Sequence, residues 1–159
     1  GKFGNMKLGI PYVEFDVPVG TCPGITRFYE KVFNCTTTLR KTYCEINVGR
    51  GQTLRFRESK KKVDYDGHHI AVYLADFSGP YKKLLDRGMI SEESDQHQYR
   101  FLDVFDPKSG DALIRIEHEV RSMRHPMYAR PLVNRDPRMN NRNYVPGYEA
   151  MPYATPFTG

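Results

Sequence analysis

One order of elements, a strand, a helix and then further strands, can be read twice along this chain. The second copy begins about 55 residues after the first. In the first copy, residues 10–17 alternate apolar and polar side chains, as in a strand with one buried face. Thr21 is predicted to cap a following helix, in which Phe28 and Val32 lie on one apolar stripe. Further strands are predicted near 36–40, 43–48 and 52–58.

The second copy follows the lysine run at 60–62. Residues 68–74 predict a strand whose apolar side carries Ile70, Val72 and Leu74. A helix containing Leu84 is predicted to end at Gly88, because glycine is favoured just after a helix. Two more strands are predicted at 99–105 and 112–120. A repeat of this size buries its apolar face only against its partner, so both copies should form one domain.

We therefore predict an α+β domain over residues 9–120, with modules at about 9–59 and 66–120. Each module is read as a β-α-β-β-β unit whose mixed sheet curls around a cup. An α+β sandwich of the ferredoxin-like kind is the alternative architecture.

Composition excludes several classes of protein. No apolar run approaches the roughly 18 residues that a membrane span needs. The first residues lack the apolar region of a signal peptide, and Cys22, Cys35 and Cys44 show no pairing pattern for a disulfide framework or a zinc site. These features predict a cytoplasmic protein.

Most of the net charge of +5 comes from residues 121–159, where the charge of six arginines is offset only by Asp136 and Glu149. The arginines are scattered among Pro, Asn and Tyr and follow no helical face, so nucleic-acid binding is not expected. Frequent prolines forbid a long helix or a central strand there. We interpret residues 121–159 as an extended arm that lies on the domain or on a neighbouring subunit. A disordered tail is the alternative.

Four short motifs together resemble the vicinal oxygen chelate superfamily, which contains glyoxalases, bleomycin-resistance proteins and extradiol dioxygenases. The resemblance covers about residues 9–120. Its motifs are the helix sequence FYEKVFN at 28–34, GHHIAV at 67–72 followed by Asp76, LLDRG at 84–88, and FDP at 105–107 before Gly110.

The resemblance implies that the polar strand faces line a small-molecule cup. Enzymes of this superfamily hold a divalent metal there, with His and Glu ligands and two open positions for substrate oxygens. The implied ligands here are Glu14, His69 and Glu117, which suit Fe, Mn, Ni or Zn. The chain departs from the pattern, because the first-module histidine falls at Tyr12 or Glu14. The fourth ligand position falls at Arg55 or Arg57, and a cation there would repel a metal.

Two functions from different classes follow. In the first, which we favour, the cup binds a small molecule, which could be anionic, without the full metal site. Its ligand contacts would be Tyr12, Arg55, Arg57, Tyr73 and Arg115. In the second, the chain is a metal-dependent lyase, isomerase or dioxygenase that uses Glu14, His69 and Glu117. A purely structural role, with His69 hydrogen-bonded and the arginines in ion pairs, stays open. The resemblance also implies a homodimer.

Overall fold

The computed structural model of the chain describes residues 10–49, 51–61 and 64–128. They form eight strands and two helices. In chain order these are β1 (Tyr12–Pro18), α1 (Cys22–Phe33), β2 (Thr37–Leu39), β3 (Tyr43–Gly49), β4 (Gln52–Ser59), β5 (His69–Leu74), α2 (Ser78–Leu85), β6 (Ile90–Ser94), β7 (Gln98–Phe105) and β8 (Ala112–Ser122).

The strands form two separate four-stranded mixed sheets with the same topology. The first sheet has the order β1-β4-β3-β2 and the second has the order β5-β8-β7-β6. In each sheet the first strand of the module pairs in parallel with the last, and the other pairs are antiparallel. The predicted repeat of β-α-β-β-β modules and the α+β fold class are therefore confirmed.

Helix α1 lies between the apolar faces of the two sheets. The Tyr29 ring is 5.7 Å from that of Phe56 in the first sheet and 5.8 Å from that of His118 in the second. The ring centroid of Phe28 lies 5.9 Å from that of Phe101 in the second sheet. The buried apolar residues of both modules thus form a single core cluster. Since each apolar face turns toward α1, each polar face lies on the far side of its sheet.

The start of α1 differs from the expected cap. Thr21 makes no side-chain cap hydrogen bond, and its hydroxyl instead donates to the Pro18 carbonyl at 2.7 Å. The physical reason is that Thr21 has φ −87° and ψ −21°, in the helical region, whereas a capping residue is normally extended. The backbone N–H of Cys22, which has no partner within the helix, donates to Glu58 of β4 at 3.1 Å. A neighbouring strand therefore supplies an acceptor for the first N–H of the helix.

The last strand continues beyond the predicted end of the domain. β8 extends to Ser122, and residues 123–128 follow in turns. The rest of the predicted arm, residues 129–159, lies outside the described residues, so the arm and its proposed contacts stay predictions. Among the described residues, no helix is both long and apolar enough to span a membrane.

Candidate functional site

The polar face of the first sheet carries two arginines that are held by two glutamates. Arg57 donates to both carboxylate oxygens of Glu14, at 2.8 and 3.0 Å. Arg55 donates to Glu45 at 3.1 and 2.6 Å and to Glu14 at 3.5 Å. The register explains this grouping, because β4 lies between β1 and β3 and Arg55 pairs with Glu14 on one side and Glu45 on the other.

Two tyrosines flank these guanidinium groups. The guanidinium carbon of Arg55 lies 4.4 Å from the ring centroid of Tyr12 and 5.1 Å from that of Tyr43. Arg57 also lies over Tyr43, at 5.3 Å. Attraction between a cation and an aromatic face adds to the ion pairs and limits the rotation of both arginine side chains. The first polar face is thus a preformed cluster of planar groups.

Glu14 is fully engaged in this cluster. The hydrogen bond from Arg57 lowers the pKa of its carboxyl from the usual value, and Arg55 acts in the same direction. The carboxylate is therefore ionised at neutral pH, but both oxygens already accept hydrogen bonds from arginine. Its geometry is that of an ion-pair partner.

The polar face of the second sheet contains His69 and two glutamates. The Cα partner of His69 in the parallel pair with β8 is Glu117. The carboxylate that faces the His69 ring is instead that of Glu119, with Nε2 and Oε1 3.6 Å apart. Glu117 accepts a hydrogen bond from Arg100 of β7 at 2.9 Å.

Glu119 is the centre of the second polar face. Its side chain is only 6 % exposed, and its two oxygens lie 2.7 Å from Arg100 and 2.6 Å from Arg121. Arg121 also donates to the hydroxyl of Tyr73 at 3.2 Å. A buried carboxylate needs such partners, because an unpaired charge away from water is strongly disfavoured.

Arg115, the remaining residue expected to contact a ligand, lies apart from this network. Its side chain is 61 % exposed and its Nε donates to Asp103 at 3.0 Å. It lines a groove of about 490 Å³ between β1 and β8. The floor of this groove is apolar, formed by Phe15, Phe56, Ile114 and neighbouring side chains.

The structure brings the predicted site residues together in two groups. Tyr12, Glu14, Arg55 and Arg57 share the first polar face, whereas Tyr73, His69 and Glu117 belong to the second. Because the sheets turn their apolar faces to α1, Glu14 does not meet His69 and Glu117 within one chain. Among the described residues, no three His, Cys, Asp or Glu side chains are grouped so that they could hold a metal ion.

Two residues of the second polar face, Glu119 and Arg100, were not predicted as site residues. Glu119 has the same strand parity as Glu117, so alternation alone places both on one face. Arg100 lies on β7 between apolar residues, whose pattern in the sequence predicts a buried strand. Its acidic partners Glu92, Glu117 and Glu119 come from strands on both sides, so only the strand order could have indicated it.

No protein-family model matches the sequence, and no relative is found among curated proteins. Solved structures do match. A protein from Bacillus cereus described as a possible glyoxalase is 15 % identical, with a TM-score of 0.53 over 72 % of this chain and 99 % of that one. A protein from Bacillus anthracis assigned to the glyoxalase family is 22 % identical, with a TM-score of 0.52 over 74 % of this chain and 98 % of that one.

A third neighbour is a mutant of the fosfomycin resistance protein FosX from Listeria monocytogenes, complexed with Mn(II) and a dihydroxypropylphosphonic acid. It is 14 % identical, with a TM-score of 0.50 over 73 % of this chain and 93 % of that one. At such low identities the likeness establishes the fold and leaves the activity open. The paired modules, their strand order and these neighbours show that the chain has the fold of the vicinal oxygen chelate superfamily.

Proposed function

We propose that this protein binds a small organic molecule on its polar sheet faces and lacks the full metal site of the glyoxalases. The observation that carries the proposal is the pairing of Glu14. Arg57 and Arg55 occupy both of its oxygens, and a metal at that position would have two guanidinium groups beside it. The residues of the first polar face therefore do not fit a divalent cation.

The same cluster suits a ligand with an anionic group and a flat or apolar body. Arg57 is 41 % exposed, so an incoming carboxylate or phosphonate can take the place of the Glu14 carboxylate on it. Tyr12 is exposed and offers its ring to the body of the ligand. On the second face, Tyr73 and Arg115 would play the corresponding roles. Because Glu14 competes for the same donors, only modest affinity is expected.

A homodimer would complete the cup. In one chain α1 separates the two polar faces, so a cavity lined by both needs the first face of one copy and the second face of another. Within the described part of the chain, β1 and β5 are edge strands, and their outer edges could meet in such a dimer. The proposed cytoplasmic location rests on the sequence, in which Cys22, Cys35 and Cys44 show no pairing pattern.

A metal-dependent lyase, isomerase or dioxygenase is the second candidate. It is favoured by His69, whose Nε2 lies 3.6 Å from Glu119 and whose Cα partner is Glu117. The FosX neighbour is complexed with Mn(II) and a dihydroxypropylphosphonic acid, which supports a metal site in this alternative. In this alternative, Glu14 of one copy would join His69 and Glu117 of another, after the arginines release their carboxylates.

Metal analysis separates the two candidates. The protein purified without chelator should contain no stoichiometric Fe, Mn, Ni or Zn, and His69→Ala should give the same result. Stoichiometric metal in the unmodified protein that is lost in His69→Ala would establish the alternative and refute the metal-free site.

Anion titration tests the binding site directly. In Glu14→Gln the amide no longer neutralises Arg57, so the affinity for methylphosphonate, measured by calorimetry, should rise several-fold. Glu92→Gln is the matched control, because Glu92 is an exposed ion-pair partner of Arg100 on the second sheet. An equal effect of the two substitutions would show that general surface charge governs anion binding, against the proposed site.

A further inference from the structure

We propose that the chain following Tyr128, through Pro131, Leu132 and Val133, fills an apolar groove between β3 and β5 of the same molecule. This groove meets the second polar face at Tyr73 and otherwise lies apart from the residues on which the proposed function rests. It has a volume of about 450 Å³ and lies beside the C-terminal end of α1.

Among the described residues, the lining of this groove carries no charged side chain. Phe33 of α1 and Val72 and Leu74 of β5 provide apolar surface that the core leaves partly exposed. The groove is also lined by Tyr29 and His118, which are hydrogen-bonded to each other at 2.7 Å. A charged occupant would find no counter-ion in this lining, so the groove favours an uncharged, apolar one.

The described part of the chain ends beside this groove. The Tyr128 ring lies 5.4 Å from that of Tyr73, which is one of the lining residues. Successive turns hold the chain in this place, with the N–H of His125 donating to Ser122 and the N–H of Tyr128 donating to His125, at 3.0 and 2.9 Å. Arg121 also stabilises the turn, since its guanidinium group contacts both the Tyr73 hydroxyl and the sulfur of Met127.

The residues that come next match the groove in chemistry and reach. After Ala129 and Arg130 the sequence continues Pro131-Leu132-Val133, the first uncharged apolar run after the turn. Four residues of extended chain span about 13 Å, enough to bring Leu132 from Tyr128 into a groove that begins at Tyr73. Proline at the entrance favours an extended backbone, so the ordering of this run costs less entropy. A second copy could cover the groove only by excluding these tethered residues.

Cys35 gives a direct readout, because it lines the groove and is half-buried, whereas Cys22 and Cys44 are buried. In the full chain, Cys35 should react slowly with Ellman's reagent. Leu132→Asp should increase that rate at least several-fold, because a carboxylate cannot stay in the apolar groove. An added negative charge near the thiol would by itself slow an anionic reagent, so an increase reports uncovering.

The matched control is Ala154→Asp, which adds the same charge 22 positions further along the chain and should leave the rate unchanged. Leu132→Ala should give an intermediate rate, and Cys35→Ser should abolish the fast signal in every background. Circular dichroism should show that Leu132→Asp stays folded. Equal rates in Leu132→Asp and the unmodified chain would refute the proposal. A rate that falls with protein concentration would also refute it, since a second copy would then cover the groove.

Discussion

His118 is a histidine enclosed by apolar side chains at the centre of the molecule. It is fully buried, and its ring stacks on that of Phe101 at 4.3 Å. Its Nδ1 donates to the carbonyl of Ile116 at 2.8 Å, and so Nε2 is the acceptor for the hydroxyl of Tyr29. Burial lowers the pKa of His118 to about 4, because the charged imidazolium would lose its hydration. The fold therefore requires the neutral ring.

The pH dependence of stability follows from this pKa. The pKa of an unfolded histidine is 6.5, so the stability contributed by neutral His118 is complete above pH 6.5 and is lost as the pH falls toward 4. The loss by pH 4 should be roughly 3 kcal/mol of unfolding free energy. Urea unfolding at a series of pH values measures it. His118→Leu should be less stable at pH 7, because Tyr29 loses its acceptor. Its unfolding free energy should, however, fall much less between pH 6.5 and 4 than that of the unmodified chain.

His125 is the control for this interpretation, since burial also lowers its pKa. His125→Gln should remove a smaller part of the pH dependence of the unfolding free energy, because His125 lies at the edge of the core, near the end of the described chain. If His118→Leu kept the full slope, the pH dependence would have to arise from other groups.

The choice between Glu117 and Glu119 shows where single residues escape prediction. Both have the strand parity of the polar face of β8, and in the structure both lie there. Which of them meets His69 depends on side-chain direction, because both carboxylates compete for Arg100, Glu117 at 2.9 Å and Glu119 at 2.7 Å, and Glu119 is the one that lies 3.6 Å from the histidine. Sequence separation contains no information on that competition, because Arg100 stands on a different strand.

At the scale of elements, helix α1 is tied to the turn between β7 and β8 of the other module. Arg27 donates two hydrogen bonds to the carboxylate of Asp106, which also accepts from the backbone N–H of Lys108. These donors, Arg27 first, lower the pKa of Asp106 to about 2. The aspartate of the sequence motif FDP is thus an anchor between modules.

Asp106→Asn should reduce the unfolding free energy by about 1–3 kcal/mol at pH 7. The lower end is expected, because Arg27 is 37 % exposed and solvent screens the pair. The pKa of Asp106 is depressed, so its contribution is present above pH 3.8 and is lost as the pH falls toward 2. Urea unfolding of the two proteins at pH 7 measures the difference.

Asp103→Asn provides the matched control, since the Asp103 side chain is 45 % exposed and forms an ion pair with the exposed Arg115. It should cost less than about 1 kcal/mol. A cost for Asp103→Asn equal to that for Asp106→Asn would contradict the anchoring role.

Most elements could be predicted because their apolar residues recur with the period of a strand or a helix. Strand β6 was not identified, since the sequence ISEES at 90–94 contains one apolar residue and forms an exposed edge of its sheet. Backbone pairing with β7 alone creates this strand, and pairing leaves no periodic signal in the sequence. The Thr21 cap was wrong because the Thr21 hydroxyl bonds back to the Pro18 carbonyl, while Glu58 from a distant strand accepts from the first N–H of the helix.

For the whole molecule, the sequence predicts two modules but not how they face each other. Periodicity shows that each sheet has an apolar and a polar side, and both arrangements, apolar sides inward or polar sides inward, satisfy that pattern. The side chains of α1 decide between them, because Phe28 and Tyr29 contact both sheets. A helix with apolar residues over a broad face can serve two sheets at once.

This shared helix predicts that the two modules unfold together. Phe28 is fully buried and its ring contacts Phe101 and Phe105 of the second module as well as Tyr29 and Phe33 of α1. Phe28→Ala leaves a cavity in the common core and should cost about 3–5 kcal/mol. Methyl NMR signals of Ile46 in the first module and Ile116 in the second should then disappear at the same, lower urea concentration.

Leu85→Ala is the control for a loss of apolar area in a helix, because Leu85 of α2 is 47 % exposed. The urea concentration at the midpoint of unfolding should stay close to that of the unmodified chain. If Phe28→Ala shifted the Ile46 transition and left Ile116 unchanged, the modules would have independent cores. The polar faces would then be free to take another relative orientation, and the argument that a second copy completes the cup would lose its structural basis. A common shift of both transitions instead shows that α1 fixes the two polar faces on opposite sides of one rigid body.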